Sequence, residues 1–142
     1  MAPIPANFRP LSRRSPFLET LGPFYDREER GGVVLGIFVA EKHCNARGTV
    51  HGGLLSTIAD IALGYNMAVS REPPVVLTTA NISIDFINSA RLGEWIEAYV
   101  DILKVGRRLA FAQARLMVDD RQIARASGVF ARTGDLDELE TT

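Results

Sequence analysis

The sequence contains one cysteine, Cys44, so no disulfide can close within the chain and no cysteine cluster can hold zinc. That usage fits a reducing compartment, and a cytoplasmic location is expected. Histidine is nearly as scarce. His43 and His51 are the only two, neither has Asp or Glu at ligand spacing, and no metal centre is expected. No apolar run is long enough to span a bilayer, and residues 1–16 bring prolines and three arginines in place of a signal-peptide core. A surplus of either charge is also missing: 16 Lys and Arg stand against 17 Asp and Glu. This balance argues against the basic face of a nucleic-acid reader. No Gly-x-Ser-x-Gly elbow occurs, which argues against a serine hydrolase triad of that kind.

What is present describes one domain. At 142 residues, with 46% hydrophobic and 23% charged residues, the chain can bury a core without staples. Residues 1–32 read as an N-terminal arm and short helix. Ser15-Pro16 has the form of an N-cap and first helical position, Gly22 of a stop, and 26–30 of a charged turn. A β-branched run predicts a strand over 33–39, followed by a loop to Val50. Over 53–69, Leu54, Leu55, Ile58, Ile61, Ala62, Tyr65 and Val69 recur at helical spacing and predict the one long helix. Four alternating stretches follow, with Asp119-Asp120 marking a hairpin turn between the last two. Their short connections predict an antiparallel meander. Ala110, Ala112, Ala114, Ala124, Ala126 and Gly128 share the parities of an inward face, so the helix can pack closely against a curved sheet. The expected fold is α+β, one long central helix wrapped by a curved antiparallel sheet over 33–134, with a tail at 135–142.

Chemistry concentrates where the loop meets the helix. His43-Cys44-Asn45-Ala46-Arg47-Gly48-Thr49-Val50-His51-Gly52-Gly53 leads directly to Asp60. The first amides of a helix lack intrahelical partners, so Gly52 and Gly53 either present oxyanion donors to a substrate or simply permit a tight turn. Asp60 is neither a favoured helix former nor near enough to the N-terminus to cap. Its neighbours Ser56, Thr57 and Gly64 are small, and the stretch 52–70 contains no Lys, Arg or Glu of the kind a solvated stripe carries. An acid there reads as functional. His51 reads as a structural hydrogen-bonding residue in preference to a base, and Cys44 as a small packed thiol in preference to a nucleophile.

Asn45, Gly48, His51-Gly52-Gly53 and Asp60 together resemble the motif of the phenylacetate-pathway type of hotdog thioesterase. Phe86, Ala90, Gly93 and Gly106-Arg107 resemble that family's strand pattern, and the similarity covers 33–132. The resemblance implies hydrolysis of acyl-CoA without metal or organic cofactor, by homodimers or a tetrameric dimer of dimers. It implies Asp60 as general base or nucleophile, Gly52 with Asn45 as the carbonyl-polarising group, and His51 as the motif histidine. It also implies Thr79 as a hydroxyl placing water near the acid. Thr79 is favoured over Thr78 because it shares parity with Asn81, Ser83 and Asp85. Gly53 belongs to the substrate-binding set. Arg91, Lys104, Arg107 and Arg108, at strand ends, are candidates for the CoA phosphates. Tyr65, Met67 and Phe86 are candidates for the apolar acyl tunnel. Because Asp60 and Gly52 lie about 12 Å apart along one helix, the site is expected to draw on two subunits. The alternatives are a hotdog hydratase or dehydratase and a non-catalytic acyl-CoA sensor; no nucleic-acid or membrane partner is expected.

Overall fold

A computed structural model describes residues 2–135 of the chain. The tail expected over 135–142 therefore lies, from 136 onward, outside the described residues. Two helices, α1 (Pro16–Leu21) and α2 (Gly52–Val69), accompany seven strands: β1 (Arg9–Pro10), β2 (Tyr25–Glu29), β3 (Gly32–Phe38), β4 (Val75–Phe86), β5 (Trp95–Val105), β6 (Leu109–Val118) and β7 (Arg121–Asp135). All seven belong to one antiparallel sheet in the order β1-β2-β3-β5-β6-β7-β4.

The sheet curls around α2 because its inner face carries almost no bulk. Ala98, Ala110, Ala112, Ala114, Ala124 and Ala126 are all buried beneath the helix, which sends Leu55, Ile58, Ala59, Leu63 and Met67 into the same core. The helix is rotated slightly from the stripe read in the sequence. Ala59, Leu63 and Met67 are its deepest residues, whereas Ile61, Tyr65 and Val69 are only half-buried. Met67 is fully enclosed and belongs to the core, not to a substrate tunnel.

Three local expectations change. The charged run after Phe24 is strand β2, paired with β3 through a tight turn in which Arg30 and Gly31 take φ of 48° and 82°. Its charge is compatible with a strand because Asp26 turns inward, 1% exposed, and meets Arg9 of β1 at 3.1 Å. Second, the four strands after α2 are not a simple meander. β4 pairs with β7 at the edge of the sheet, and the connection from β4 to β5 runs across the end of the strands, where Ala90 is buried and Val50 donates to its carbonyl. Curling shortens that crossing, so a short connection does not require adjacent strands.

The third change concerns parity. β4 and β7 shift register between Thr79 and Asn81, leaving Ala80 as the extra residue of a bulge. Upstream of it Thr79 pairs with buried Phe130; downstream Ile82 pairs with buried Gly128, and Asn81, Ser83 and Asp85 are exposed. Thr79 thus faces α2 together with Ile82 and Ile84, on the face opposite Asn81.

Candidate active site

The N-terminus of α2 is built by its own loop. His51 is the N-cap, its Nδ1 accepting from the Gly53 amide at 2.9 Å, while its backbone amide donates to His43 O at 2.8 Å. The His51 ring is a structural cap, and it takes the Gly53 N–H out of play. Among the described residues no hydrogen bond takes up the Gly52 amide, and the Phe86 ring packs against the Cα of this glycine, where a Cβ would stand 3.1 Å from Phe86 Cζ. Phe86 lies here, on the glycine, and not beside Asp60.

Asn45 shapes the preceding turn. Its Oδ1 accepts from the Arg47 amide at 2.9 Å and the Thr49 amide at 3.3 Å, and its Nδ2 donates to Thr49 Oγ1 at 3.0 Å. Gly48 completes the turn with φ 77°, a region that favours glycine. One of the two Nδ2 hydrogens remains for another partner. His43, buried beneath this loop, accepts at Nδ1 from the Ala40 amide and donates from Nε2 to Leu21 O at 2.5 Å, tying the loop to the end of α1.

Asp60 is half-buried two turns further along α2. Thr79 Oγ1 donates to its Oδ1 at 2.5 Å, and no ion pair of the described residues includes it. Ser56 and Thr57 turn back on their own helix, donating to Gly52 O and Gly53 O, and leave the carboxylate alone. The acid stands at the margin of a cleft of about 660 Å³. α2 contributes Ile61, Gly64, Tyr65, Ala68 and Val69 to that cleft; Val75, Leu77 and Phe130 line it from the sheet. Thus Asp60, Thr79 and Tyr65 come together, while Gly52, Gly53, His51 and Asn45 form a second cluster in the same chain.

The basic candidates also divide. Lys104, Arg107 and Arg108 gather at the β5–β6 hairpin, where Arg107 shares a cleft of about 640 Å³ with Arg71, Arg132 and Gly134. Arg91 sits at the opposite end of β5, in a bridge with Thr49 beside the Asn45 turn. Arg71, which donates to Val105 O at 2.8 Å, and Arg132 escaped the sequence reading because their proximity to Arg107 depends on the folded sheet.

The thioesterase superfamily model matches residues 47–124. The putative esterase PA0474 of Pseudomonas aeruginosa is 50% identical over 131 residues, covering 92% of this chain and 98% of that protein. Human acyl-coenzyme A thioesterase 13 is 38% identical over 87 residues, 61% of each protein. The crystal structure of zebra fish thioesterase superfamily member 2 superimposes with a TM-score of 0.77 at 30% identity, covering 83% of this chain and 88% of that one.

Proposed function

This chain belongs to the thioesterase superfamily and is a thioester hydrolase, and from that premise we propose that it cleaves acyl-CoA to a free acid and CoA. The observation that carries the reading is Asp60, held by Thr79 at the margin of an apolar cleft with no other charge paired to it. A thioester carbonyl carbon is electrophilic. Asp60 either takes a proton from an attacking water or attacks directly, forming an anhydride that water then opens; in both routes the CoA thiolate leaves and is protonated. The acyl portion, aromatic or of medium to long chain, occupies the cleft beside Tyr65 and Leu77.

The negative oxygen of the intermediate needs donors about 3 Å away, whereas Gly52 precedes Asp60 by roughly 12 Å of helix. The active site of this proposal therefore takes the Gly52 amide and Asn45 from a second copy of the chain. The free edge of β4 supports that arrangement. Over its twelve residues it carries no Lys or Pro and one charge, Asp85, and beyond the Ala80 bulge the stretch from Asn81 to Phe86 keeps a regular register that leaves its outer edge open to pairing with a two-fold mate. Two such dimers pairing would give the tetramer. Lys104, Arg107 and Arg108 are assigned to the CoA phosphates, and Arg91 to the neighbourhood of the Asn45 turn. The single cysteine supports placing the reaction in the cytoplasm; no helix of the described residues is long and apolar enough to cross a membrane.

The deciding experiment is a panel of acyl-CoA thioesters assayed for release of free thiol. Thiol release abolished by Asp60→Asn supports the reading. Conversion of an unsaturated acyl-CoA without thiol release would replace it with a hydratase, and stable binding without turnover would replace it with a sensor.

A further inference from the structure

One wall of the cleft beside Asp60 comes from outside α2 and the sheet. Arg13, Ser15, Phe17 and Leu18 line it together with the helix and the edge strand. This segment is fastened at both of its ends. Before it, Phe8 packs edge-on against Trp95 with ring centroids 5.0 Å apart, β1 pairs with β2, and Leu11 N donates to Phe24 O at 3.0 Å. After it, Lys42 Nζ donates to Thr20 O at 3.0 Å, and buried His43 donates to Leu21 O. Within it, the Arg13 guanidinium lies 5.7 Å from the centre of the Tyr65 ring on α2, joining the segment directly to the floor of the cleft. Ser15 caps α1 by accepting from Leu18 N at 3.2 Å, which fixes the orientation of the first turn.

The wall also has apolar surface to offer. Phe17 is 60% exposed and shares the lining of the cleft with the apolar Ile61, Tyr65, Val69, Val75 and Leu77. From Asp60 to Ala68 the floor runs about 12 Å along the helix, room for the tail of an acyl group whose reacting carbon sits at the acid. We propose that residues 13–18 form the size-selecting wall of the acyl pocket, with Phe17 the specificity-determining residue and Arg13 the positioning residue that holds the wall against Tyr65. This rests on the reading of the cleft as the acyl pocket. A ring at this position limits the bulk and length that fit between the wall and α2, and each methylene kept out of apolar contact forfeits about fourfold in affinity.

The test uses binding, so that it does not depend on turnover. In full-length Asp60→Asn protein, calorimetry gives the affinities of hexanoyl-, dodecanoyl- and hexadecanoyl-CoA below their micelle concentrations, with Phe17 intact, as Phe17→Ala and as Phe17→Trp. The Phe17→Ala change should raise the hexadecanoyl-to-hexanoyl affinity ratio at least about tenfold, and Phe17→Trp should lower it. Arg13→Ala should move the ratio the same way as Phe17→Ala by loosening the wall. A ratio within twofold of the Phe17 protein in both ring variants overturns the proposal while leaving the hydrolase intact. A change in oligomeric state with that ratio unchanged also overturns it, assigning Phe17 to a contact between copies. Absence of thiol release from the unsubstituted protein, by contrast, counts against the acyl-CoA hydrolase reading and not against the wall.

Discussion

Thr79 donates its hydroxyl hydrogen to Asp60 across 2.5 Å, from the residue immediately before the Ala80 bulge of the edge strand. Without the extra residue, Thr79 would share the face of Asn81 and point away from α2. The bulge therefore reverses the parity by which the sequence favours Thr79 over Thr78: Thr79 reaches the acid because it does not share a face with Asn81, Ser83 and Asp85. For the proposed reaction, Asp60→Asn should lower kcat by at least roughly a hundredfold and Thr79→Val by roughly tenfold or more, with Thr79→Ser recovering most of the loss. Thr78→Val, on the exposed face, should stay within about twofold. Steady-state thiol release for the four proteins checks the order; equal losses at Thr78 and Thr79 would remove the geometric basis of the assignment.

The His51 ring caps α2 through Nδ1, so its loss should appear first in stability. His51→Ala should cost about 1 kcal/mol in urea unfolding, and His51→Asn, which restores a side-chain acceptor, substantially less. Because the cap also fixes the backbone at Gly52, kcat should fall in His51→Ala and recover in the Asn variant. A catalytic proton carrier would behave differently, with turnover lost equally in both while stability holds in the Asn protein.

The division of the protomer into an Asp60 cluster and a Gly52 cluster can be tested by mixing. Asp60→Asn and Asn45→Ala proteins, each inactive in the proposed mechanism, should recover roughly a quarter of wild-type activity after equal subunit exchange, because one site of each mixed dimer then contains neither lesion. Exchange is confirmed by native mass measurement. Mixtures that remain dead after confirmed exchange would place both halves of the site in one chain.

The hairpin cations offer a test by substrate dissection. Replacing Lys104, Arg107 and Arg108 with Ala should raise KM for acyl-CoA and flatten its dependence on salt, since charge attraction to the phosphates is screened within about 10 Å at 0.1 M. The same variant should show an unchanged KM for the corresponding acyl-pantetheine, which has no phosphate. A rise in KM for both substrates would assign these residues to folding of the hairpin instead.

The sequence by itself determined whatever is written in periods and neighbours. The alternating alanines of β6 and β7 specify a smooth inner face, the apolar recurrence over 53–69 specifies the helix laid on it, and Ser15-Pro16 and Asp119-Asp120 mark a helix start and a hairpin where the fold has them. Each is set by interactions within a turn or a strand repeat. The motif around His51 and Asp60 was legible for the same reason, since its residues lie on one loop and one helix. What only the tertiary structure decided depends on partners distant in the chain. β4 takes the edge beside β7, the charged run after Phe24 becomes a strand once Arg9 meets Asp26, and one extra residue at Ala80 delivers Thr79 to the acid. The segment carrying Arg13 and Phe17 belongs to the same class, because the contact of Arg13 with Tyr65 and the anchoring of Leu21, just beyond it, by His43 join residues far apart in sequence. Backbone hydrogen bonds must be satisfied wherever the folded sheet leaves an open edge, and that competition among strands has no local signature in the order of residues.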